Sequence, residues 1–476
     1  MHRVDLLVAE IGSTTTVVNA FDGLNTANPV FVGQGQSLTT VREGDVTRGL
    51  EKAIADLTAG LPSGADQGVV RGGGPAGGLQ WSELYAASSA AGGLRMSVHG
   101  LVYDMTVRAA KEAALGAGAI VKMVTAGKLG EGDLKEIASL HPNMILLAGG
   151  VDYGEKETVL HNARQLAALF SGRGLAAPVL YAGNAAAAGE AQAIFREKAP
   201  AAEVVVVENV YPRIDLLNVG PSRRAIQALF EKHIVSAPGM NQIRSMVKGT
   251  IRPTPGAVMQ AAQLLYEEAG DLMVLDVGGA TTDVHSVTEG SPEWGRYQVA
   301  PEPLAKRTVE GDLGVYANAA NLYAILVERL RSAGASPEEI PPEEWLGELK
   351  PIPGTDRERA MVEMLTAEAV RVAVERHAGE ARQLYGPTGR STLVEGKDLT
   401  QVKWIIGTGG ALTRLAAGRR ILEGLRVEQV TRKLFPPATA RVVIDEKYLM
   451  AALGVMSESY PREARQILRE ILAIEI

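Results

Sequence analysis

Two carboxylates stand out because each ends an apolar run and is followed by a turn of small and hydroxylated residues. Glu10 closes LLVAEI and precedes Gly12, Ser13, Thr14 and Thr15. Asp276 closes LMVLDV and precedes Gly278, Gly279, Ala280, Thr281, Thr282 and then Asp283. A carboxylate at a strand end can hold magnesium through its water or orient an attacking water. Glycines let the backbone turn tightly and approach a ligand. Successive turn N–H groups, with the hydroxyls of Ser13, Thr14, Thr15, Thr281 and Thr282, can surround phosphate oxygens. Charge-assisted bonds of this kind contribute about 1.5–3 kcal/mol each.

The spacing adds more than either turn alone. EIGSTTTVVN, residues 10–19, aligns without gaps to DVGGATTDVH, residues 276–285. Such similarity implies two copies of one domain facing each other, with a triphosphate gripped by both turns. The expected ligand is therefore a triphosphate with Mg2+.

The elements that must carry these residues follow from periodicity. Strands are expected at Val4–Ile11, Val17–Phe21 and Pro29–Gly33, then a helix over Gly44–Leu57 with Leu50, Ile54 and Leu57 on one face. The glycine-rich stretch Leu61–Gly78 reads as a loop. Apolar strands then alternate with helices as far as Val207, which implies parallel pairing with helices on both faces. The opening pattern returns at Leu272–Val277. Later come helices at Asn318–Ala333, Arg357–Gly379 and Leu412–Leu422, and a last helix near Lys447–Glu458. The tail Glu463–Leu472 reads as an amphipathic helix whose Ile467, Ile471 and Ile474 need a partner in this chain or another. The fold class is α/β, with a first lobe at 1–260 enlarged by an α/β insertion and a second lobe at 261–476.

Composition narrows the chemistry. The chain of 476 residues has no cysteine, which excludes disulfides, thiolate catalysis and cysteine-based zinc or iron–sulfur sites. A net charge of −7 disfavours a general nucleic-acid partner. The basic stretch Arg213–Arg252 is diluted by apolar residues and reads as a solvated face or protein contact. No run approaches 18 apolar residues and the first residues lack a secretory pattern, so no membrane partner is expected and the cytoplasm is the expected compartment.

The two turns resemble the phosphate 1 and phosphate 2 loops of the superfamily that includes actin, Hsp70 and sugar kinases. Its ribonuclease H-like lobes are thereby implied for this chain. Trp404–Thr413, WIIGTGGALT, resembles the adenosine loop of that superfamily, which implies nucleoside contacts at Gly407, Thr408, Gly409 and Gly410. The segment Asp445–Met456, with Ala451, Ala452 and Gly454, resembles the connecting helix near the hinge. The superfamily usually has aspartate where this chain has Glu10. The extra methylene moves the carboxylate by about 1.5 Å. The resemblance therefore favours Asp276 as the main acid and metal ligand, with Asp283 in support and Glu10 in a lesser role.

Longer stretches resemble the MutL/GlmL family of accessory proteins for adenosylcobalamin-dependent glutamate mutase and related aminomutases, a family unrelated to the mismatch-repair protein of similar name. They include residues 6–23, 86–119, 145–154, 179–187, 208–223, 275–287 and 306–315. The resemblance implies an ATP-driven reactivating factor that opens a mutase, releases damaged cobalamin and admits intact coenzyme. Its partners would be mutase subunits, with a homodimer possible. Cobalamin would belong to the partner, since His99, His161 and His285 lie in no Asp-x-His-x-x-Gly arrangement. A small-molecule kinase and a nucleotide-dependent actin-like scaffold are the alternatives.

Other motifs carry less. Gly72–Gly77 matches G-x-G-x-x-G, but Pro75 interrupts the turn into a helix. No Walker-type G-x-x-x-x-G-K-[ST] run exists. Asp152, after Gly149–Gly150, is a further metal candidate or a turn residue. Glu310 and Asp312 either approach the nucleotide or shape a turn.

Overall fold

A computed structural model describes the chain apart from residues 1, 13–14, 41–44, 62–77, 90–93, 174, 176, 235–239, 250, 387–388, 430–431 and 475–476. The Gly72–Gly77 motif and the hydroxyls of Ser13 and Thr14 lie outside the described residues. The chain divides into two compact units. One comprises Met1–Gly23, Val30–Ala257 and Ala300–Pro303, the other Leu24–Pro29, Val258–Val299 and Leu304–Ile476.

Strands are numbered along the chain. The first unit is built on a sheet of order β3-β2-β1-β4-β10, from β1 (His2–Ile11), β2 (Thr15–Asp22), β3 (Val30–Leu38), β4 (Leu79–Ser88) and β10 (Ile251–Pro253). The strands β1, β2 and β3 are antiparallel neighbours, whereas β4 runs parallel to β1 and β10 parallel to β4. Leu6, Leu7, Val8 and Ala9 of β1 are all fully buried, so both faces of this sheet are covered and the strand reads as a continuous apolar run. The helix Thr47–Gly60 turns Leu50, Ile54 and Leu57 inward and lies close on β3. At Gly35 a side chain would collide with the backbone of Ala53 and Leu57, so glycine sets how near that helix comes.

The insertion sits between β4 and β10. It is an all-parallel sheet of order β6-β5-β7-β8-β9, from β5 (Leu94–Gly100), β6 (Ala119–Ala126), β7 (Met144–Leu147), β8 (Val179–Tyr181) and β9 (Val204–Val206). Helices Arg108–Gly116, Glu131–Leu140, Glu157–Arg173 and Ala188–Lys198 connect them, giving a doubly wound arrangement.

The second unit repeats the first sheet in strand order and sense: β13-β12-β11-β16-β17, from β11 (Leu272–Val277), β12 (Thr282–Val287), β13 (Ala305–Glu310), β16 (Trp404–Thr408) and β17 (Arg441–Ile444). Met273, Leu275 and Val277 pack with Met361, Leu365 and Ala369 of the long helix Asp356–His377. A capping box starts that helix. Thr355 Oγ1 accepts from the Glu358 amide at 3.2 Å, and the Glu358 carboxylate accepts from the Thr355 amide at 2.9 Å. Both units are therefore α/β, with helices packed on five-stranded sheets.

The structure adds elements that periodicity missed. Strand β4 follows the glycine-rich stretch, and a hairpin of β14 (Glu380–Gly386) and β15 (Gly389–Glu395) follows the long helix. The expected helix Leu412–Leu422 is two short ones, Gly410–Thr413 and Gly418–Glu423, because the chain folds back until Gly418 meets the carbonyl of Leu412. The tail helix, Pro461–Leu472, finds its partner within this chain. Ile467 and Ile474 are buried, and Arg465 and Arg469 pair with Glu267 and Glu268 of the helix Thr254–Ala269. Among the described residues, no helix is long and apolar enough to cross a membrane.

Candidate functional site

Each carboxylate sits one residue before the turn of a tight hairpin, and the residues flanking the two turns are bonded alike. In the first, the Gly12 amide donates to Thr15 O at 2.9 Å; in the second, the Gly278 amide donates to Thr281 O at 2.9 Å. Glu10 pairs across strands with Val17, and Asp276 with Asp283. The turn and strand pairing thus keep the alignment found in sequence.

What surrounds the acids differs. Glu10 is buried, and its Oε1 accepts from Asn19 Nδ2 at 3.2 Å. Asn19 Oδ1 in turn accepts from Gln34 Nε2 at 2.8 Å. Asp276 has Asp283 opposite it, and Asp283 is held by Arg307, whose Nε and Nη2 donate to its Oδ1 at 2.9 and 2.6 Å. Arg307 and Asp283 are both buried. A buried pair of this kind fixes geometry more surely than it adds stability. Burial, then the nearby negative charges of Asp283 and Asp445, push the Asp276 carboxyl up to about 7, against the opposing effect of Arg307.

The GTGG loop belongs to the same unit. Strand β16 pairs in parallel with β11 so that Asp276 lies opposite Thr408. Gly409 has φ +82°, and a side chain there would overlap Asp276 Oδ1. Only glycine meets both demands, so the Asp276 carboxylate and the GTGG loop are in direct contact. Gly407 is wedged between Leu422 and Ile444, and Gly410 opens the short helix.

The hydroxyls that composition pointed to are largely engaged by protein. The buried Thr282 donates to Leu313 O at 2.8 Å, Thr281 to Asp283 Oδ2 at 3.1 Å, and the buried Thr408 to Asp445 Oδ2 at 3.0 Å. Gly279 and Ala280 form the exposed tip. A strap from the following segment supports that tip: the Tyr316 and Ala317 amides donate to Gly279 O, and Asn318 Nδ2 donates to Ala280 O. Hence the second turn presents backbone more than side-chain hydroxyls.

Asp152 lies at the carboxyl end of β7 in the inserted sheet, where its Oδ1 accepts from Asn209 Nδ2 and the Ala185 amide, both at 2.9 Å. It ties three loops together there. Glu310 and Asp312 both bond Arg376, at 2.6 and 2.9 Å, and that guanidinium holds the Asp312 carboxyl below its usual range. His99 and His285 are buried, and burial depresses both imidazoles, so each is neutral. His161 meets Leu129 O at 3.2 Å. In the basic stretch, Lys248 pairs with Glu83 and Arg252 donates to Gln227.

No group of three or more His, Asp or Glu among the described residues forms a metal cage. The oxygen donors at Asp276 suit magnesium, which commonly takes one or two carboxylates and completes its shell with phosphate and water. Residues that sequence reasoning passed over are Arg307, Asp445, Asn19 and Gln34. Arg307 and Gln34 occupy one position in the two sheets, each on the third strand opposite the second residue past the hairpin pairing.

The family profile described as MutL protein matches residues 6–472. Protein MutL of Clostridium tetanomorphum is 36% identical over 98% of each chain. Among solved structures, acetone carboxylase in its nucleotide-free form is similar at 13% identity and a TM-score of 0.41, over 96% of this chain and 70% of that one. The diol dehydratase-reactivating factor in nucleotide-free form is similar at 10% identity and a TM-score of 0.35, over 96% of this chain and 99% of that one. Structural likenesses this remote carry no argument about function.

Proposed function

This chain belongs to the MutL family, and from that premise we propose that it is an ATP-dependent reactivating factor for an adenosylcobalamin-dependent amino-acid mutase. The carrying observation is the second hairpin: a carboxylate poised near neutrality, an exposed glycine turn and a GTGG loop packed on that same carboxylate. Magnesium and the phosphates of ATP are the ligands of this hairpin, and the nucleoside lies on Gly407–Gly410. The first hairpin, with Gly12–Thr15, is a second phosphate turn of the same design. The matching sheets support reading 1–260 and 261–476 as duplicated lobes.

The chain's own part in the chemistry is electrostatic. Asp276, when ionised, holds magnesium directly or through water and orients the attacking water, while Asp283 and Arg307 keep its surroundings fixed. Bound magnesium supplies charge for the departing phosphate. Turnover without a client is expected to be slow.

The test loads a candidate mutase with cyanocobalamin, then adds this protein, Mg-ATP and fresh adenosylcobalamin. Recovered activity should require all three additions and vanish with a non-hydrolysable analogue. If the mutases of glutamate and ornithine stay inactive while ATP phosphorylates a free metabolite, the reading is wrong and a kinase takes its place.

A further inference from the structure

Among the described residues, the Asp445 carboxylate accepts hydrogen bonds from Thr408, Leu449 and Met450. It directly follows β17 and is fully buried. Its amide donates to Gly407 O at 2.8 Å, and its Oδ2 accepts from Thr408 Oγ1 at 3.0 Å. The same carboxylate accepts from the Leu449 amide at 2.8 and 2.9 Å and from the Met450 amide at 2.9 Å. To bring those two amides back, Tyr448 adopts φ +55°, an uncommon conformation for a bulky residue. One side chain thus joins the end of β16 to the first turn of the helix Met450–Met456, which packs against the tail helix.

The fold does not need this clamp. In the first sheet β10 occupies the place of β17 and also leads into a helix, Thr254–Ala269. There Ala87 lies opposite Arg252, whereas in the second sheet Asp445, one residue past the Gly407–Ile444 pair, bonds the Thr408 hydroxyl. At this junction Arg252 stands where the second sheet has Asp445.

We propose that Asp445 is the positioning residue of the GTGG loop, coupling nucleoside binding on Gly407–Gly410 to the C-terminal helix pair. The coupling rests on the reading of that loop given above. It acts through Thr408: when a nucleoside orders the loop, the hydroxyl stays on Asp445, and the carboxylate stays on the Leu449 and Met450 amides. Phosphate held at the Gly279–Ala280 tip is outside this chain of bonds.

The experiment compares ATP with inorganic tripolyphosphate, both with magnesium, on the full chain. Wild-type protein should bind both, and ATP alone should slow hydrogen exchange at Leu449–Met456. Asp445→Asn should weaken ATP about tenfold, the loss of one or two bonds to a charged acceptor. At pH 9, where Asp276 is ionised in both proteins, it should leave tripolyphosphate within about twofold and abolish the ATP-dependent exchange protection. Thr408→Val, which keeps the Asp445 cap on the helix, should reproduce the ATP effect even if the Asp445 variant folds poorly. The double variant should be no worse than the weaker single one. Equal weakening of ATP and tripolyphosphate, or additive losses, would overturn the positioning role while leaving the nucleotide reading intact. Failure of wild-type protein to bind ATP would overturn both.

Discussion

The two hairpins share register, sheet order and the bond that closes the turn, yet their interiors are built on different principles. Position by position, Glu10, Val17, Asn19 and Gln34 of the first sheet correspond to Asp276, Asp283, His285 and Arg307 of the second. The first hairpin holds its acid by a relay of neutral amides. The second surrounds its acid with two more carboxylates and a buried guanidinium. The amides place no second ionisable group beside Glu10, whereas crowded carboxylates make ionisation of Asp276 depend on what else is bound. One backbone design therefore carries an acid held by amides in one sheet and an acid crowded by charge in the other.

Removing Arg307 should break the contrast most severely. Arg307→Met leaves Asp283 buried without its partner, and the expected loss is about 3–5 kcal/mol in urea unfolding. A loss below 1 kcal/mol would mean the ion pair does not organise the second hairpin.

Next in size is Asp276→Ala, which should slow ATP hydrolysis about 10²–10³-fold, measured by phosphate release in magnesium. Glu10→Ala should cost less. Equal losses would show that the two acids share the chemistry after all.

A pH series sharpens the same point. The Asp276 carboxyl is raised from 3.8 to about 7 in the folded protein, so the fold binds this proton more tightly than the unfolded chain does. Its contribution to stability is complete below about pH 4 and is lost as pH rises through about 7. Without magnesium, the melting temperature should fall across that window, and Asp276→Asn should flatten the fall. Magnesium-ATP affinity should rise over the same range, because the cation needs the ionised form. An affinity independent of pH between 6 and 8 would contradict the raised value.

The smallest effect belongs to the amide relay. Gln34→Met should cost about 1 kcal/mol, the ordinary worth of one neutral hydrogen bond, and leave the pH profile of ATP binding unmoved. A shifted profile would tie the first hairpin to the titrating acid of the second.

Much of this was legible because tight hairpins advertise themselves. Glu10 and Asp276, each ending an apolar run before glycine and hydroxyls, marked the two turns, and their constant spacing persists in the strand pairing. The Leu50, Ile54 and Leu57 face of the first helix was equally plain, since helical periodicity is a local property. Arg307 and Asp445 were not legible, because their meaning arises from strands distant in sequence coming side by side. Thr282 looked like a phosphate ligand by type and Thr408 like a nucleoside contact by resemblance, yet burial turns their hydroxyls onto Leu313 and Asp445. Leu79–Ser88 escaped notice for another reason: it is paired on both sides within the sheet, so its stability comes from distant neighbours and not from a local pattern.

The short strand β10 reaches β4 only after the whole inserted unit has been made, pairing with Ala86, Ala87 and Ser88. During synthesis on a ribosome, roughly ten to thirty seconds separate the emergence of the two strands at usual elongation rates. The inserted sheet, whose strands follow one another closely, can complete itself in that interval. Through the same interval β4 stands at an open sheet edge, with main-chain groups free to recruit a strand from another nascent chain. Slow elongation after residue 250, or truncation before it, should therefore appear first as aggregation of newly made protein.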